Sequence, residues 1–121
     1  MYLAVFDGSG WRMEREALLS LLIRDWPEAV LHPPGYGGSS PEVSDIVWDY
    51  SDEDRSLSAS SHADGTCLYL DGDLTLAARF ALWYRGLVPG GIDVVFCNES
   101  YTFDVSMNSS TSIEDLVSAA A

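Results

Sequence analysis

Apolar and polar residues recur along this chain with two periods, and the places where one period gives way to the other mark most of its elements. Tyr2 to Phe6 is a short apolar run rich in Tyr, Val and Phe, the composition of a strand, and Asp7-Gly8-Ser9-Gly10 is a turn. A helical period follows. Arg12, Glu16, Ser20, Arg24 and Glu28 form a polar stripe, Leu18, Leu19, Leu22, Ile23 and Trp26 lie opposite it, and Pro27 ends the helix near Trp26. Ala29 to His32 is a short strand candidate. The run Pro33-Pro34-Gly35-Tyr36-Gly37-Gly38-Ser39-Ser40-Pro41 reads as a surface loop.

Val43 to Tyr50 alternates: Ile46, Trp48 and Tyr50 share one face, and Asp45, Val47 and Asp49 share the other. Ser51 to Arg55 is a charged turn. Ser56 to His62 is a polar strand with Leu57 and Ala59 on one side, Asp64-Gly65 is a hairpin signal, and Thr66 to Leu70 is the returning strand. These three segments make an antiparallel meander. Asp71-Gly72-Asp73 opens a second helix, with an Asp placed to accept orphan backbone N–H groups. Leu74, Ala77, Ala78, Ala81, Leu82 and Tyr84 make this helix apolar around most of its circumference, as expected of a central helix packed on a sheet. Pro89-Gly90-Gly91 ends it. Ile92 to Cys97 is an apolar strand and Asn98-Glu99-Ser100 a turn. Tyr101, Phe103, Val105 and Met107 then alternate with Thr102, Asp104 and Ser106. Thr111 or Ser112 caps a last short helix over Ile113 to Ala120.

The order is β-α-β-β-β-α-β-β-α, with the strand at Ala29 additional. Hairpin-like links dominate. This predicts an α+β fold, a largely antiparallel sheet with helices packed on one face. At 121 residues without an internal repeat or linker, the chain reads as one domain, 1–121.

Charge changes the picture more than composition does. Six basic residues, all arginine, face 19 acidic ones, for a formal net charge of −13. Such a balance argues against direct nucleic-acid binding, which needs cations to neutralise phosphates, and against anionic membrane surfaces. It favours a basic protein partner. The 47% hydrophobic content supplies a core and separates the chain from acidic disordered tails. The N-terminus lacks the basic and long apolar regions of a secretory signal, no stretch is long enough to span a membrane, and the expected compartment is the cytoplasm. There Cys67 and Cys97 are expected to be buried free thiols.

The most concentrated chemistry is the acid cluster Asp45, Asp49, Asp52, Glu53 and Asp54, at the end of a strand carrying Trp48 and Tyr50. Carboxylates that steer a cationic partner, with an aromatic to anchor it, form one reading; a solvated Asp-rich turn above core aromatics forms the other. Glu99 and Tyr101 flank a hairpin turn and extend the acidic face. The cluster lacks the spacing and the glycine of a calcium loop. His32 and His62 have no ligand at metal spacing, and pairing of either with Cys67 or Cys97 depends on the fold. Neither a phosphate loop nor a nucleophile elbow is present, so no cofactor and no catalytic residue is expected, and the chain reads as a binding protein rather than an enzyme.

A small acidic α+β chain with an acid-rich strand end beside Trp48 and Tyr50, and with the helix Phe80-Ala81-Leu82-Trp83-Tyr84-Arg85-Gly86-Leu87-Val88-Pro89 before the strand-turn segment Val94 to Tyr101, resembles the immunity proteins of bacterial polymorphic toxin systems, including contact-dependent and Rhs-type toxins. The resemblance spans the whole chain at the level of size, charge and pattern. It implies tight binding of a cognate basic toxin domain, a nuclease in many such systems, and occlusion of its active site or an adjacent surface. An acidic DNA mimic that inhibits a defence protein shares the charge argument. A regulatory or oligomerisation domain, pairing through the strand Tyr101 to Met107 at a sheet edge, is a further alternative.

Overall fold

The computed structural model of the protein describes residues 1–7, 10–33, 44–62 and 64–120. Seven strands form one sheet, β1 (Tyr2–Phe6), β2 (Val30–His32), β3 (Ser44–Asp52), β4 (Arg55–His62), β5 (Cys67–Gly72), β6 (Val94–Asn98) and β7 (Asp104–Met107). Their spatial order is β2-β3-β4-β5-β1-β6-β7, and every neighbouring pair is antiparallel. Three helices complete the fold: α1 (Arg15–Asp25), α2 (Leu74–Leu87) and α3 (Ile113–Ala120). This is the expected α+β architecture, with helices on one face of an antiparallel sheet. Among the described residues no helix is long and apolar enough to cross a membrane.

Strand alternation assigns the two faces. Ala4, Phe6, Trp48, Tyr50, Leu57, Ala59, Leu68, Leu70, Val94 and Phe96 point into one core, where they meet Leu18 and Leu22 of α1, Leu116 of α3 and the apolar side of α2. Helix α2 packs on β5, β1 and β4, so its Leu76, Ala77, Ala78, Phe80, Ala81 and Tyr84 are all buried. Three alanines on that surface let the helix axis approach the sheet closely, and Phe80 and Tyr84 fill the space to either side. The Asp73 carboxylate caps α2 by accepting the Leu76 N–H at 2.9 Å. Ser112 and Asp115 cap α3 reciprocally, each side chain bonding the other's backbone N–H at 3.1 and 2.9 Å.

The structure moves several expected boundaries. Helix α1 begins at Arg15, which leaves Arg12 outside it, and Ile23 is 56% exposed although its spacing placed it on the apolar side. Only Leu18 and Leu22 of α1 are buried, because the helix rests on β3 at the sheet margin and has no second layer above it. The candidate at Ala29 is the edge strand β2. Asp71 and Gly72 belong to β5 rather than to the helix start. The charged turn shrinks to Glu53 and Asp54, with Asp52 pairing across to Arg55 and Glu53 held at φ 55°. Tyr101 leaves the last strand. At φ 53° it turns away from the Phe103–Met107 alternation, and β7 starts at Asp104. The expected turn at 7–10, the loop reading for 33–41 and the start of the 43–50 strand fall largely on residues 8–9 and 34–43, outside the described residues.

One hairpin shows why glycine is needed at its turn. Gly65 has φ 77°, and a Cβ built there sits 2.4 Å from the Met13 carbonyl oxygen. That close approach allows the Met13 N–H to bond the Gly65 carbonyl at 2.9 Å, tying the segment before α1 to the β4–β5 turn.

Trp48 is completely buried, 5.9 Å from the Phe80 ring centroid. Trp48→Ala is therefore expected to cost about 3–5 kcal/mol of folding stability, read as a fall in the denaturant midpoint. A variant that kept its midpoint would place Trp48 outside the core.

Candidate binding face

The sheet face opposite the helices carries the remaining side chains of each strand. Cross-strand register sets His32, Val47, Ser60, Tyr69, Leu3, Cys97 and Asp104 in one row, and Val30, Asp49, Ser58 and Asp71 in the next. None of these belongs to the core cluster. The six arginines at 12, 15, 24, 55, 79 and 85 are all elsewhere. Two lie on α1, two on α2, one before α1, and Arg55 alternates with Leu57 toward the core side. The open face thus presents Asp49, Asp71 and Asp104, with Asp93 at the start of β6, and no arginine.

The predicted acid cluster is split by the sheet. Asp49 lies on the open face, where its Oδ1 accepts from the Ser58 hydroxyl at 2.7 Å and its Oδ2 from His32 Nε2 at 2.9 Å. These bonds, Ser58's most of all, hold the Asp49 carboxyl below the usual carboxylate value. The Ser, Asp and His do not form a nucleophile relay, because Asp49 sits between the other two and accepts from both, whereas a relay needs the imidazole in the middle. Asp52 turns toward the helices and pairs with Arg79 at 3.1 Å. The Arg79 guanidinium in turn lies over Trp26 at 5.2 Å and Tyr50 at 5.9 Å. Glu53 and Asp54 are exposed in the turn. The Asp45 side chain lies outside the described residues.

Trp48 and Tyr50 do not reach any binding surface. Both are core residues packed against Phe80, so the expected anchor role is withdrawn from them. The physical reason is parity. They share the face of Ile46, which the helices cover, and Asp49 between them points the other way. Tyr101, by contrast, is 69% exposed. Glu99 is exposed in the same turn.

Two hollows lie along the open face. A groove of about 460 Å³ beside β6 has Val5, Val95 and Cys97 beneath it and Asp93, Asp104 and Tyr101 around it. A more polar one of about 270 Å³ lies at the other end, between Asp49, Ser58 and Asp71. A third, of about 360 Å³, is flanked by the start of α1 and the β4–β5 hairpin, with both signs of charge from Arg12, Glu14, Arg15 and Glu16.

Cys67 and Cys97 are both buried and free, as expected. By register His62 lies across from Cys67, one place on from the Ser61–Leu68 pair. The imidazole is engaged by its own hairpin, with Nδ1 accepting the Asp64 N–H at 3.1 Å. Burial, and then the nearby Asp64 charge, push the Cys67 thiol up to about 12, the opposite of what a nucleophilic thiolate needs. Among the described residues no group of three or more His, Cys, Asp or Glu is arranged to hold a metal ion.

Asp71, Asp93 and Asp104 were missed by the sequence reading. Their signal was present: each occupies the polar phase of a strand or sits at its mouth, and no arginine shares that phase. Comparison of the chain with protein-family models, curated proteins and solved structures finds no match.

Two outcomes follow. Both thiols should resist a disulfide reagent at pH 8 in the native protein and react promptly in guanidinium; fast reaction of either in the folded state would contradict its burial. The depressed Asp49 carboxyl favours the fold fully above its ordinary value of 3.8 and gives this up as pH falls through its lower folded value. Ser58→Ala is expected to raise that folded value in a carboxyl NMR titration and so to flatten the acid limb of the stability curve.

Proposed function

We propose that the protein is a non-catalytic inhibitor that binds a basic toxin domain, of nuclease type, through its open sheet face and blocks access to it, as the resemblance to immunity proteins implies. The observation that carries this reading is the segregation of charge. The helix-free face holds carboxylates around an apolar centre and excludes every arginine of the chain, within a molecule of net charge −13. An apolar patch rimmed by one sign of charge is the usual composition of a surface that meets a complementary partner. The carboxylates speed and orient encounter, and desolvation of the apolar centre slows release. Tyr101 takes the anchor role once expected of Trp48 and Tyr50, since among the described residues it is the most exposed aromatic on this side of the sheet.

The test uses three tagged forms, the wild type, Asp49→Lys with Asp71→Lys, and Tyr101→Ala, each used to capture partners from native cells at low and high salt. A single stoichiometric basic protein is expected with the wild type. Its expression alone should arrest growth, and co-expression of the wild type should restore it. The charge-reversed form should associate roughly tenfold or more slowly at low salt. Tyr101→Ala should lose about 2 kcal/mol of binding while keeping its melting temperature. An acidic or neutral partner, or a basic one indifferent to both variants, overturns the reading.

A further inference from the structure

We infer that the groove beside β6 receives an extended basic segment of the partner, with the pattern basic–x–apolar–x–basic. This rests on the reading that the partner is a basic protein, and it adds where and in what form a positive segment is held.

The groove has a direction set by the strand beneath it. Asp93, Val95 and Cys97 alternate onto the open face from β6 and its approach, and Asp104 stands opposite Cys97 on β7. Carboxylates therefore mark the two ends of the groove, Asp93 at one and Asp104 at the other. Val95 lies between them, with Val5 directly across from it on β1. Four residues of strand separate the positions of Asp93 and Cys97, a span of about 13 Å. An extended peptide has the same rise and the same alternation. Its residues i, i+2 and i+4 face one way, so cations at i and i+4 reach the two carboxylate ends while an apolar i+2 side chain covers the Val5–Val95 floor. Among the described residues neither Asp93 nor Asp104 has an ion-pair partner, which leaves both ends available for a cation from outside. Tyr101 stands at the Asp104 end with its ring exposed, a surface on which a planar guanidinium stacks better than an ammonium does. At that end the basic residue is thus an arginine.

The probe is a pair of blocked peptides of identical composition, Gly-Ser-Arg-Ser-Val-Ser-Arg-Ser-Gly and Gly-Ser-Arg-Arg-Val-Ser-Ser-Ser-Gly, titrated at low salt into the isotopically labelled full chain and followed by amide NMR shifts. The spaced peptide is expected to shift the amides of Val5, Val95 and Tyr101, and to bind roughly fivefold or more tightly than its isomer, since only it reaches both ends. Asp93→Asn and Asp104→Asn should each abolish that preference while leaving the melting temperature unchanged. Replacing both arginines of the spaced peptide with lysine should weaken binding to the wild type and matter less to Tyr101→Ala. Equal binding of the two isomers, shifts centred on Asp49 and Asp71, or no shifts with either peptide overturns the assignment. Capture of a basic partner by the wild type, growth rescue, and the Asp49→Lys with Asp71→Lys form in the preceding experiment do not depend on this groove, so a failure here leaves those results standing and a failure there is seen separately.

Discussion

Phe80 is the point about which this structure is organised. Its ring stacks on Trp26 with centroids 4.0 Å apart, and meets Tyr50 at 5.5 Å and Trp83 at 6.1 Å near perpendicular. One side chain of α2 thereby touches the end of α1, the middle of β3 and its own helix. Pro27 contributes by stopping α1 after Asp25, so that Trp26 folds down beside Phe80 instead of continuing the helix. Outside the rings, Asp25 accepts from the Trp83 indole at 2.8 Å and from Arg24 at 2.7 Å, and these bonds, Arg24's foremost, hold its carboxyl down at about 2. Arg79 closes the opposite side over Trp26 and Tyr50. The helix-covered layer thus has one aromatic cluster at the β2–β3 end of the sheet and a second around β1 and β6, where Phe6 meets Trp11 and Tyr84 and Tyr2 stacks on Phe96.

Because the helices and, among the described residues, most of the aromatic side chains gather on one face, the other is left to side chains that need less cover. Serines at 56, 58, 60 and 106 and aspartates at 49, 71 and 104 hold the polar phase, and Leu3, Val5, Tyr69 and Val95 make a half-buried band between them. An antiparallel sheet tolerates one wet face, since its alternation separates the two environments residue by residue. The same alternation that builds the core also arrays the carboxylates.

Much of this was legible locally. The hairpin at Asp64-Gly65, an Asp cap within 71–73, the apolar breadth of α2 and a cap for α3 at Thr111 or Ser112 each depend on a few adjacent residues; the structure narrows the two caps to Asp73 and Ser112. The alternation of β3 was also legible, but its meaning was not. A strand with Trp48 and Tyr50 in one phase and Asp45 and Asp49 in the other does not say which phase the helices cover, and a binding cluster drawn from both phases combined two faces of one sheet. Tyr101 shows a second kind of limit. Its spacing from Phe103 and Met107 fits a strand, yet the turn after β6 needs a left-handed residue there, and backbone geometry overrode the side-chain pattern. The groove beside β6 draws on β1, β6, β7 and the turn before β7, so no window of the sequence contains it.

All six arginines lie on the side of the helices, so a cation that reaches the open face meets carboxylates and no fixed positive charge to repel it. A cationic surface that lands off target on that face is therefore not pushed away and can move along it without leaving. On the helix-bearing side the same surface meets arginines and carboxylates together, and its encounters there are expected to be shorter. The difference arises from where the six positive charges are excluded as much as from where the negative ones stand.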